Sequence, residues 1–465
     1  MLSLPWVPHL PYAVPLRPGL CYLCFMRTVR FIHAADLHLD AAFAGISREA
    51  GPTLSRSLHN ATFVALERLI ALCLAEKPDF LVLSGDIYNQ EDGSLHAQLA
   101  LRDGCRRLHE AGVRVFIAHG NHDPLTSRVQ TLQWPDNVTI FSDTVEAFPV
   151  YAHATLPHTH AQPQASPDDL PPPTQPPMAV VHGISHATAR ETRNLARQFR
   201  RAPQQVLQVG VLHCTISSST DERYAPCSLD DLATTGLDYW ALGHIHERQI
   251  LRQTPLVVYP GNPQGLHIGE EGPRGCLSVT AHADGRLETR FHPLGPVEWK
   301  VLVVAIDGLT TLDALEERIL DHMREHMDSA GDHMTHGIYR IVLAGRGPLD
   351  AMLRGNGILA EQTELLREAA RQLPRHGWVK DVSLATRHDV DMDTLRTRPD
   401  LLGETLRLAQ ELAAGDGAAY REALTDLTTN SRLRRLVSNN LFDDAQLAAL
   451  GDDAVRLCID MLEAD

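Results

Sequence analysis

Side chains that commonly bind metal ions occur at the ends of five apolar runs of the sequence. They are Asp36 and His38 in "ADLHLD", Asp86 in "SGDIYN", Asn121, His122 and Asp123 in "GNHD", His213 in "VLHC", and His244 and His246 in "LGHIH". Carboxylates, imidazoles and an amide without a thiolate favour Mn, Fe or Zn over a structural zinc site. We therefore predict a metal centre built from these distant stretches.

The chemistry that such a centre supports is hydrolysis of a phosphate ester. A carboxylate has two oxygens, so Asp86 could bridge two ions about 3.5–4 Å apart. Two ions at this separation lower the pKa of a bound water from about 15.7 towards ~7. They also neutralise the charge on phosphoryl oxygens as the ester is attacked.

Each of these residues also has a simpler explanation when it is considered alone. Asp36 could cap a helix, His213 could be a core residue, and His244 could lie on the surface. Glycine precedes three of the residues, namely Asp86, Asn121 and His244. Because glycine lets a backbone approach an ion or ligand closely, the joint pattern favours a metal site.

Buried strands and crossover helices are predicted to position these side chains. Short apolar runs with the length of buried strands cover residues 29–35, 80–84, 113–118, 178–184, 208–213 and 239–243. Helical patterns at 55–76 and 94–111 separate the first three runs, which indicates an α/β sheet. Ligands in such sheets gather beyond the carboxyl ends of the strands, so these side chains are expected to converge. Within 255–294, "LVVYPG" and "CLSVTAHADGRLETRF" are predicted to be antiparallel, with a hairpin turn at "ADGR".

The whole chain is predicted to consist of four segments. They are a disordered leader or mis-assigned start at 1–26, with Met26 as an alternative start, a catalytic domain at 27–297, a small α+β domain at 298–390, and a helical region at 391–465. Residues 154–177 are rich in proline and polar residues and are interpreted as a flexible insertion. His158 and His160 in that insertion are interpreted as linker residues.

The second half of the chain shows a restarted pattern of strands and helices. Strands are predicted at 300–306, 338–344 and 379–385, and helices at 312–327 and 360–373. Five residues of the first helix are predicted to share one face: Leu312, Leu315, Ile319, Met323 and Met327. In the C-terminal region, a turn is predicted at 415–417. Five leucines of this region are predicted to form either a partner surface or a hydrophobic core: Leu401, Leu402, Leu406, Leu408 and Leu412.

The composition is that of a folded protein without a general attraction to nucleic acid. Of 465 residues, 44% are hydrophobic and 22% are charged, and the formal net charge is −16. Because non-specific binding to nucleic acid depends mainly on cationic side chains, any attraction to DNA has to be local. The sequence predicts no membrane-spanning helix of about 20 unbroken apolar residues. Eight cysteines predict no disulfide framework, so a cytoplasmic location is expected.

In these motifs the chain resembles the calcineurin-like metallophosphoesterases, whose motifs D-x-H, G-D, G-N-H-[DE], H and G-H-x-H occur in the same order. Within that superfamily it is most similar to SbcD and to the YhaO-type branch of bacterial DNA repair exonucleases. The closer similarity depends on "HAADLHLD", "YAPCSLDDL", "DYWALGHIHERQIL" and "YPGNPQGLHIGEEGPRGC". It covers residues 27–295 well and the rest only by architecture.

The resemblance implies a four-layered α/β sandwich that binds two divalent ions, with Mn as the expected metal and Fe or Zn as alternatives. One ion would be held by Asp36, His38, Asp86 and His246, and the other by Asp86, Asn121, His213 and His244. Hydroxide activated by the two ions would attack the phosphodiester. His122 would face the scissile phosphate and act as an acid, with Asp123 as its orienting partner.

The resemblance also implies DNA as substrate and an SMC-like coiled-coil ATPase as partner. The small α+β domain would cap the active site, the C-terminal helices would bind the ATPase, and helices of the catalytic domain would form a homodimer. Residues 190–201, "RETRNLARQFRR", contain five arginines that are predicted to lie on a helix, either contacting DNA or facing solvent. Asn89 stands where archaeal and eukaryotic relatives carry a histidine, which leaves the balance of exonuclease and endonuclease activity open.

Three functions are compatible with these features. The first is a Mn-dependent DNA phosphodiesterase that acts in DNA repair with an ATPase. The second is a phosphodiesterase for small substrates such as cyclic nucleotides, against which the long region after residue 297 argues. The third is a non-catalytic scaffold, but such scaffolds usually lose ligands, and none is missing from this sequence.

Overall fold

The computed structural model describes residues 27–43, 46, 51–89, 94–127, 132–152, 176–216, 224–387, 392–413, 454–455, 457–459 and 461. The predicted leader at 1–26 and the predicted turn at 415–417 lie outside these residues. So does nearly all of the proline-rich stretch at 154–177, including His158 and His160.

Two mixed sheets of six strands each form the first part of the described chain. In chain order the strands are β1 (Val29–Ala34), β2 (Phe80–Ser84), β3 (Arg114–Ala118), β4 (Val138–Ile140), β5 (Glu146–Val150), β6 (Ala179–Gly183), β7 (Leu207–His213), β8 (Tyr239–Gly243), β9 (Gln249–Gln253), β10 (Leu256–Tyr259), β11 (Gly275–Ala281) and β12 (Leu287–Pro293). The first sheet has the order β12-β11-β1-β2-β3-β4, and the second has the order β5-β6-β7-β8-β10-β9.

The pairing of the strands determines the direction of the five strands whose carboxyl ends carry the predicted ligands. Strands β1, β2 and β3 are mutually parallel in the first sheet, and β7 and β8 are parallel in the second. The predicted hairpin forms between β11 and β12, which are antiparallel. The prediction for "LVVYPG" was only partly right, because β10 is antiparallel to β9 but parallel to β8.

Three apolar cores separate four layers, which confirms the predicted sandwich. Helices α1 (Gly51–Glu76) and α2 (Leu95–Glu110) cover the outer face of the first sheet, where Leu69 and Leu101 are buried. Phe31 and Tyr239 belong to the core between the sheets. On the outer face of the second sheet, Trp240 packs with a 3-10 helix and with α3 (Leu229–Thr234).

Helix α1 is apolar for a helix at the surface of a domain. Its segment from Leu54 to Glu76 is long and apolar enough to meet a length and composition criterion for a membrane span. Arg56, Glu67 and Arg68 interrupt this segment, so it is not an unbroken apolar run. Leu69, Ile70 and Cys73 of this helix are fully buried in the core against the first sheet. The same composition is typical of a core helix.

The predicted α+β elements are present after residue 297. In chain order they are β13 (Val297–Ala305), α4 (Leu312–Ser329), β14 (His336–Arg346), α5 (Leu349–Leu353), α6 (Ile358–Arg371), β15 (His376–Arg387), α7 (Met392–Thr397) and α8 (Leu401–Ala413). The three strands form a sheet of order β13-β14-β15. The predicted apolar face of α4 is largely buried, at Leu315, Ile319, Met323 and Met327.

The chain divides into two compact units that interleave along the sequence. One contains Met1–Leu302, His322–Arg340 and Arg367–Asp381, and the other contains Val303–Asp321, Ile341–Leu366 and Val382–Asp465. In the first unit, Trp299 and Trp378 pack with Leu58 of α1. The domain boundaries at residues 298 and 391 stay a prediction.

The arginine-rich stretch at 190–201 does not form the predicted helix. Only Leu195–Gln198 make a turn of 3-10 helix, and the backbone of Phe199 is extended. Carboxylates neutralise three of the five arginines: Arg193 pairs with Glu191, Arg197 with Asp231, and Arg201 with Asp238. This pairing weakens the stretch as a DNA-binding surface.

The leucines of the C-terminal region, predicted to form either a partner surface or a core, are divided between a core and the surface. Leu402 and Leu406 of α8 are buried and pack with Leu395 and Ile459. Leu401 and Leu408 are 68% and 55% exposed. The leucines therefore point in different directions, and the side chain of Leu412 lies outside the described residues.

Candidate dimetal centre

All seven predicted ligand residues come together at the carboxyl ends of strands from both sheets. Asp36 and His38 follow β1, Asp86 follows β2 and Asn121 follows β3, while His213 ends β7 and His244 and His246 follow β8. Two candidate metal-binding groups result, Asp36–His38–His246 and Asp86–His213–His244, each with ligand atoms within 4.8 Å of one another.

The backbone at this centre is strained in a way that L residues rarely adopt. Four of the seven residues have positive φ angles: 53° at Asp36, 42° at His38, 50° at Asp86 and 106° at His244. Such strain costs on the order of 1–3 kcal/mol per residue and persists mainly at functional sites. The centre therefore has the backbone signature of a functional site.

The glycines before the ligands allow the loops to approach one another. A Cβ atom on Gly243 would overlap the carbonyl oxygen of Ser84, and one on Gly120 would overlap Oδ1 of Asp86. These glycines were predicted to let the backbone approach an ion or ligand closely. The structure shows that they permit close approach of the strand-end loops, which brings the ligands together.

The first group contains two imidazole nitrogens that face each other. Nε2 of His38 lies 3.0 Å from Nε2 of His246. Nδ1 of His246 lies 2.5 Å from Oε1 of Glu270 and donates a hydrogen bond to that carboxylate. This bond directs Nε2 of the same ring towards the centre. Nδ1 of His38 is buried with no hydrogen-bond partner in the described residues. Two ring nitrogens this close together fit the ligation of one divalent ion.

The second group converges on the side-chain oxygen of Asn121. Oδ1 of Asn121 lies 3.0 Å from Nε2 of His213 and 3.1 Å from Nδ1 of His244. Nδ1 of His213 lies 3.0 Å from the carbonyl oxygen of Ser84, to which it donates its proton. Nε2 of His213 is thereby directed into the centre, as expected of a metal ligand with a fixed tautomer.

Asp86 lies between the two groups. Its Oδ2 is 3.8 Å from Nε2 of His38 in the first group and 3.4 Å from Nε2 of His213 in the second. Its Oδ1 accepts the backbone N–H of His122 at 2.9 Å. Asp86 is therefore within 4 Å of a ligand nitrogen in each group.

Burial and mutual attraction set the charges of these groups. Burial raises the pKa of Asp36 to about 6 and lowers the pKa of His244 to about 3. Burial alone would raise the pKa of Asp86 and lower that of His213, but their attraction and hydrogen bond have the opposite effect. The pKa of Asp86 is lowered, and the pKa of His213 is raised to about 9. Asp86 and His213 therefore each stabilise the charged form of the other.

His122 is exposed at the edge of the centre, but Asp123 does not orient it. The ring of His122 lies 5.0 Å from the ring of His38, and its Nδ1 lies 3.1 Å from the backbone carbonyl oxygen of Asn89. Asp123 is fully buried and accepts the backbone N–H groups of Ile87 and Gly120. The prediction for Asp123 was wrong, because its carboxylate turns inward and fixes the loops.

Sequence reasoning missed Glu270, the residue that orients His246. Glu270 is 5% exposed, and its Oε2 accepts the backbone N–H of Leu266 at 2.6 Å and Nδ2 of Asn262 at 3.0 Å. Burial alone would raise its pKa, but the hydrogen bond from His246 and other donors lower it to about 2. No strand end marks this position, so only the acidic "GEEG" in the sequence hinted at it.

Replacing Glu270 by glutamine is expected to weaken metal binding. A neutral amide holds the His246 ring less firmly and makes it less basic, and loss of such a partner typically lowers metal affinity about 10- to 100-fold. Calorimetric titration with Mn²⁺ measures the change. Glu271→Gln, at a neighbouring side chain that is 41% exposed, is the matched control and should bind as the wild type does. Equal affinities in both variants would remove the role given to Glu270.

This centre on a four-layered sandwich is that of a metallophosphoesterase. Residues 29–248 match the family model of the calcineurin-like phosphoesterases. Residues 299–387 match the model of the middle domain of the metallophosphoesterase YhaO. The second match covers the α+β elements, which had been related to the family only by their architecture.

Comparison with individual proteins gives the same family. The chain is 32% identical over 368 residues to the metallophosphoesterase YhaO of Bacillus subtilis, covering 78% of this chain and 84% of that protein. It is 25% identical to the SbcD component of the nuclease SbcCD of Escherichia coli, covering 68% and 82%. It is 24% identical to the DNA double-strand break repair protein Mre11 of Aeropyrum pernix, covering 67% and 73%. The chain belongs to the YhaO/SbcD-type family of metallophosphoesterases.

Proposed function

We propose that the protein is a metal-dependent phosphodiesterase that hydrolyses DNA. Asp36, His38, Asp86 and His246 would hold one divalent ion, and Asp86, Asn121, His213 and His244 would hold the other. Mn²⁺ is the expected metal. The position of Asp86 between the two groups, with His122 exposed beside them, is the observation that carries the proposal.

The residues around the centre have separate tasks in this reaction. Two divalent ions bound there would supply activated water and neutralise charge on the phosphate. His122 donates its Nδ1 proton to the carbonyl of Asn89, which leaves Nε2 to protonate the leaving oxygen when the ring is charged. Asp123 fixes the loop that carries Asn121 and His122 through its bond to the N–H of Gly120.

Two relatives of this chain support DNA as the substrate. A nuclease component and a DNA double-strand break repair protein each align with about two thirds of this chain. Resemblance to that group also supports an SMC-like coiled-coil ATPase as partner, a homodimer, a role in DNA repair and a cytoplasmic location.

Cleavage assays with three substrates test the proposed activity. The purified chain with Mn²⁺ is offered duplex DNA with free ends, single-stranded DNA and bis(p-nitrophenyl) phosphate, with and without an ATPase encoded beside its gene. We expect cleavage of DNA and of the aryl ester. Hydrolysis of the aryl ester alone, even with the ATPase, would favour a small-substrate enzyme. Bound metal without any turnover would favour a scaffold.

Metal binding is expected to strengthen as the pH rises from about 7 to 9. Coordination needs the lone pair of His213 Nε2, and the proton on this ring has a pKa of about 9. Below that pKa, protons compete with the metal. Displacement of one proton predicts about a tenfold gain in affinity per pH unit. Calorimetry in buffers of different ionisation enthalpy counts the released protons, and binding without proton release would contradict this assignment.

A further inference from the structure

A cavity of about 210 Å³ opens next to the candidate dimetal centre. Its walls include His246, Arg248, Asn262, Arg274 and Phe291. His246 belongs to both places, because its Nε2 lies in the first metal-binding group. The cavity and the candidate centre therefore share His246.

Arg248 presents an uncompensated positive charge in the wall of this cavity. Its guanidinium lies over the Phe291 ring, 4.0 Å from the centroid. Stacking on a ring face leaves the N–H groups of the planar guanidinium free at its edge. Within the described part of the chain, no carboxylate pairs with Arg248, which is exposed. Arg274 is the second cation in the wall of this cavity.

Arg274 is held in place by the backbone around the cavity. Its Nη1 donates to the carbonyl oxygen of His246, and its Nη2 donates to that of Glu271 at 3.2 Å. Nε of Arg274 is buried with no hydrogen-bond partner among the described residues. The cavity also has acidic walls at Glu247 and Glu271, but Oε2 of Glu271 already accepts the N–H of Val301 at 3.0 Å. Two arginines, Arg248 and Arg274, therefore line this cavity in a chain of negative net charge.

The size of the cavity limits what it can hold. Pockets for whole drug-sized ligands have volumes of roughly 300–1,000 Å³. A cavity of about 210 Å³ is smaller and fits one substituent of a larger molecule. Arginine binds phosphate with two parallel hydrogen bonds, which favours a phosphate group as that substituent.

We propose that this cavity is a second phosphate subsite, in which Arg248 binds the phosphate next to the scissile bond of a nucleotide chain. The inference rests on the proposed phosphodiesterase function and narrows its substrate to molecules with at least two phosphates in series. It gives the enzyme a physical reason to prefer a nucleic acid over a simple diester.

Thymidine dinucleotides test the subsite. TpT has one phosphodiester, whereas pTpT and TpTp carry an additional phosphate on one side or the other. With Mn²⁺, the wild type is expected to cleave one of the phosphorylated dinucleotides with at least tenfold higher kcat/KM than TpT, mainly through KM. Arg248→Ala should reduce this preference about 10- to 100-fold, as expected for a lost hydrogen bond to a charged group. Arg248→Lys should restore part of it.

A matched control separates this effect from general damage. Arg252 on β9 pairs with Asp230 at 3.3 Å and does not line the cavity. Arg252→Ala should keep the preference of the wild type. If Arg248→Ala lowers kcat/KM equally for TpT and the phosphorylated dinucleotides, the subsite is refuted while the phosphodiesterase function stands.

Binding gives the same comparison without turnover. Calorimetry of the Mn-loaded His122→Ala protein with TpT, pTpT and TpTp, with and without the Arg248→Ala change, measures the contribution of the added phosphate. Tighter binding of a phosphorylated dinucleotide that depends on Arg248 supports the subsite. Equal binding of all three would overturn it, even if none is hydrolysed.

Discussion

Replacing Asp86 by asparagine is expected to abolish turnover, by on the order of a thousandfold or more. Asp86 lies between both ligand groups, so its loss affects both ions at once. Each ion contributes several kcal/mol to stabilisation of charge in the transition state, and each 1.36 kcal/mol corresponds to a factor of about ten. We expect the variant to bind fewer than one ion per chain at Mn²⁺ concentrations that saturate the wild type.

The measurement combines metal content with hydrolysis of bis(p-nitrophenyl) phosphate. Asp103→Asn is the control, since Asp103 is a half-exposed acid on α2 outside the centre. It should keep the ions and the activity of the wild type. Circular dichroism checks that both variants are folded. A folded Asp86→Asn protein that still binds two ions would show that Asp86 is not the shared ligand.

Replacing His122 by alanine is expected to leave both ions bound and to lower turnover by on the order of a hundredfold or more. His122 is exposed, and it is not a member of either ligand group. General acid catalysis contributes typically about 10²–10⁴-fold, most for poor leaving groups. The loss should therefore be larger for a dinucleotide with an alkoxide leaving group than for an aryl ester.

The leaving-group dependence distinguishes an acid from a residue that only binds substrate. Both esters are assayed with the wild type, His122→Ala and the control His109→Ala, which changes an exposed histidine near the end of α2. Equal losses on both esters would indicate a role in binding. Unchanged turnover would remove His122 from the reaction.

The convergence of the seven candidate ligands could be predicted because it depends on one regular feature of the fold. Parallel strands bring their carboxyl ends to the same edge of a sheet, so residues at the ends of β1, β2 and β3 meet in one sheet and those at the ends of β7 and β8 meet in the other. The packing of the two sheets then brings both sets together. The glycines before Asp86, Asn121 and His244 were also informative. Their close contacts, such as that of Gly243 with Ser84, are a direct consequence of converging loops.

The contacts around the ligands could not be predicted, because they depend on how loops turn. Adjacency in "GNHD" suggested that Asp123 orients His122. Asp123 instead accepts the backbone N–H groups of Ile87 and Gly120. The carbonyl oxygen of Asn89 accepts a hydrogen bond from His122. Glu270 lies far along the sequence from His246, so no spacing rule connects the two residues.

Local patterns of charge and hydrophobicity failed where tertiary contacts decided the conformation. The arginines at 190–201 had helical spacing, but Arg193, Arg197 and Arg201 are drawn to separate carboxylates. The leucines of α8 were predicted to form one surface or one core, but Leu402 and Leu406 are buried while Leu401 and Leu408 are exposed. In both segments, partners distant in sequence determined which side chains were buried or paired.

Electron paramagnetic resonance of the Mn-loaded chain tests the shared-carboxylate centre most directly. During a Mn²⁺ titration, we expect the protein to bind two ions per chain and to show the signal of a spin-coupled pair. Asp86→Asn should lose that signal. Binding of one ion or none, or of two ions that remain magnetically independent, would contradict a centre in which Asp86 bridges two metals.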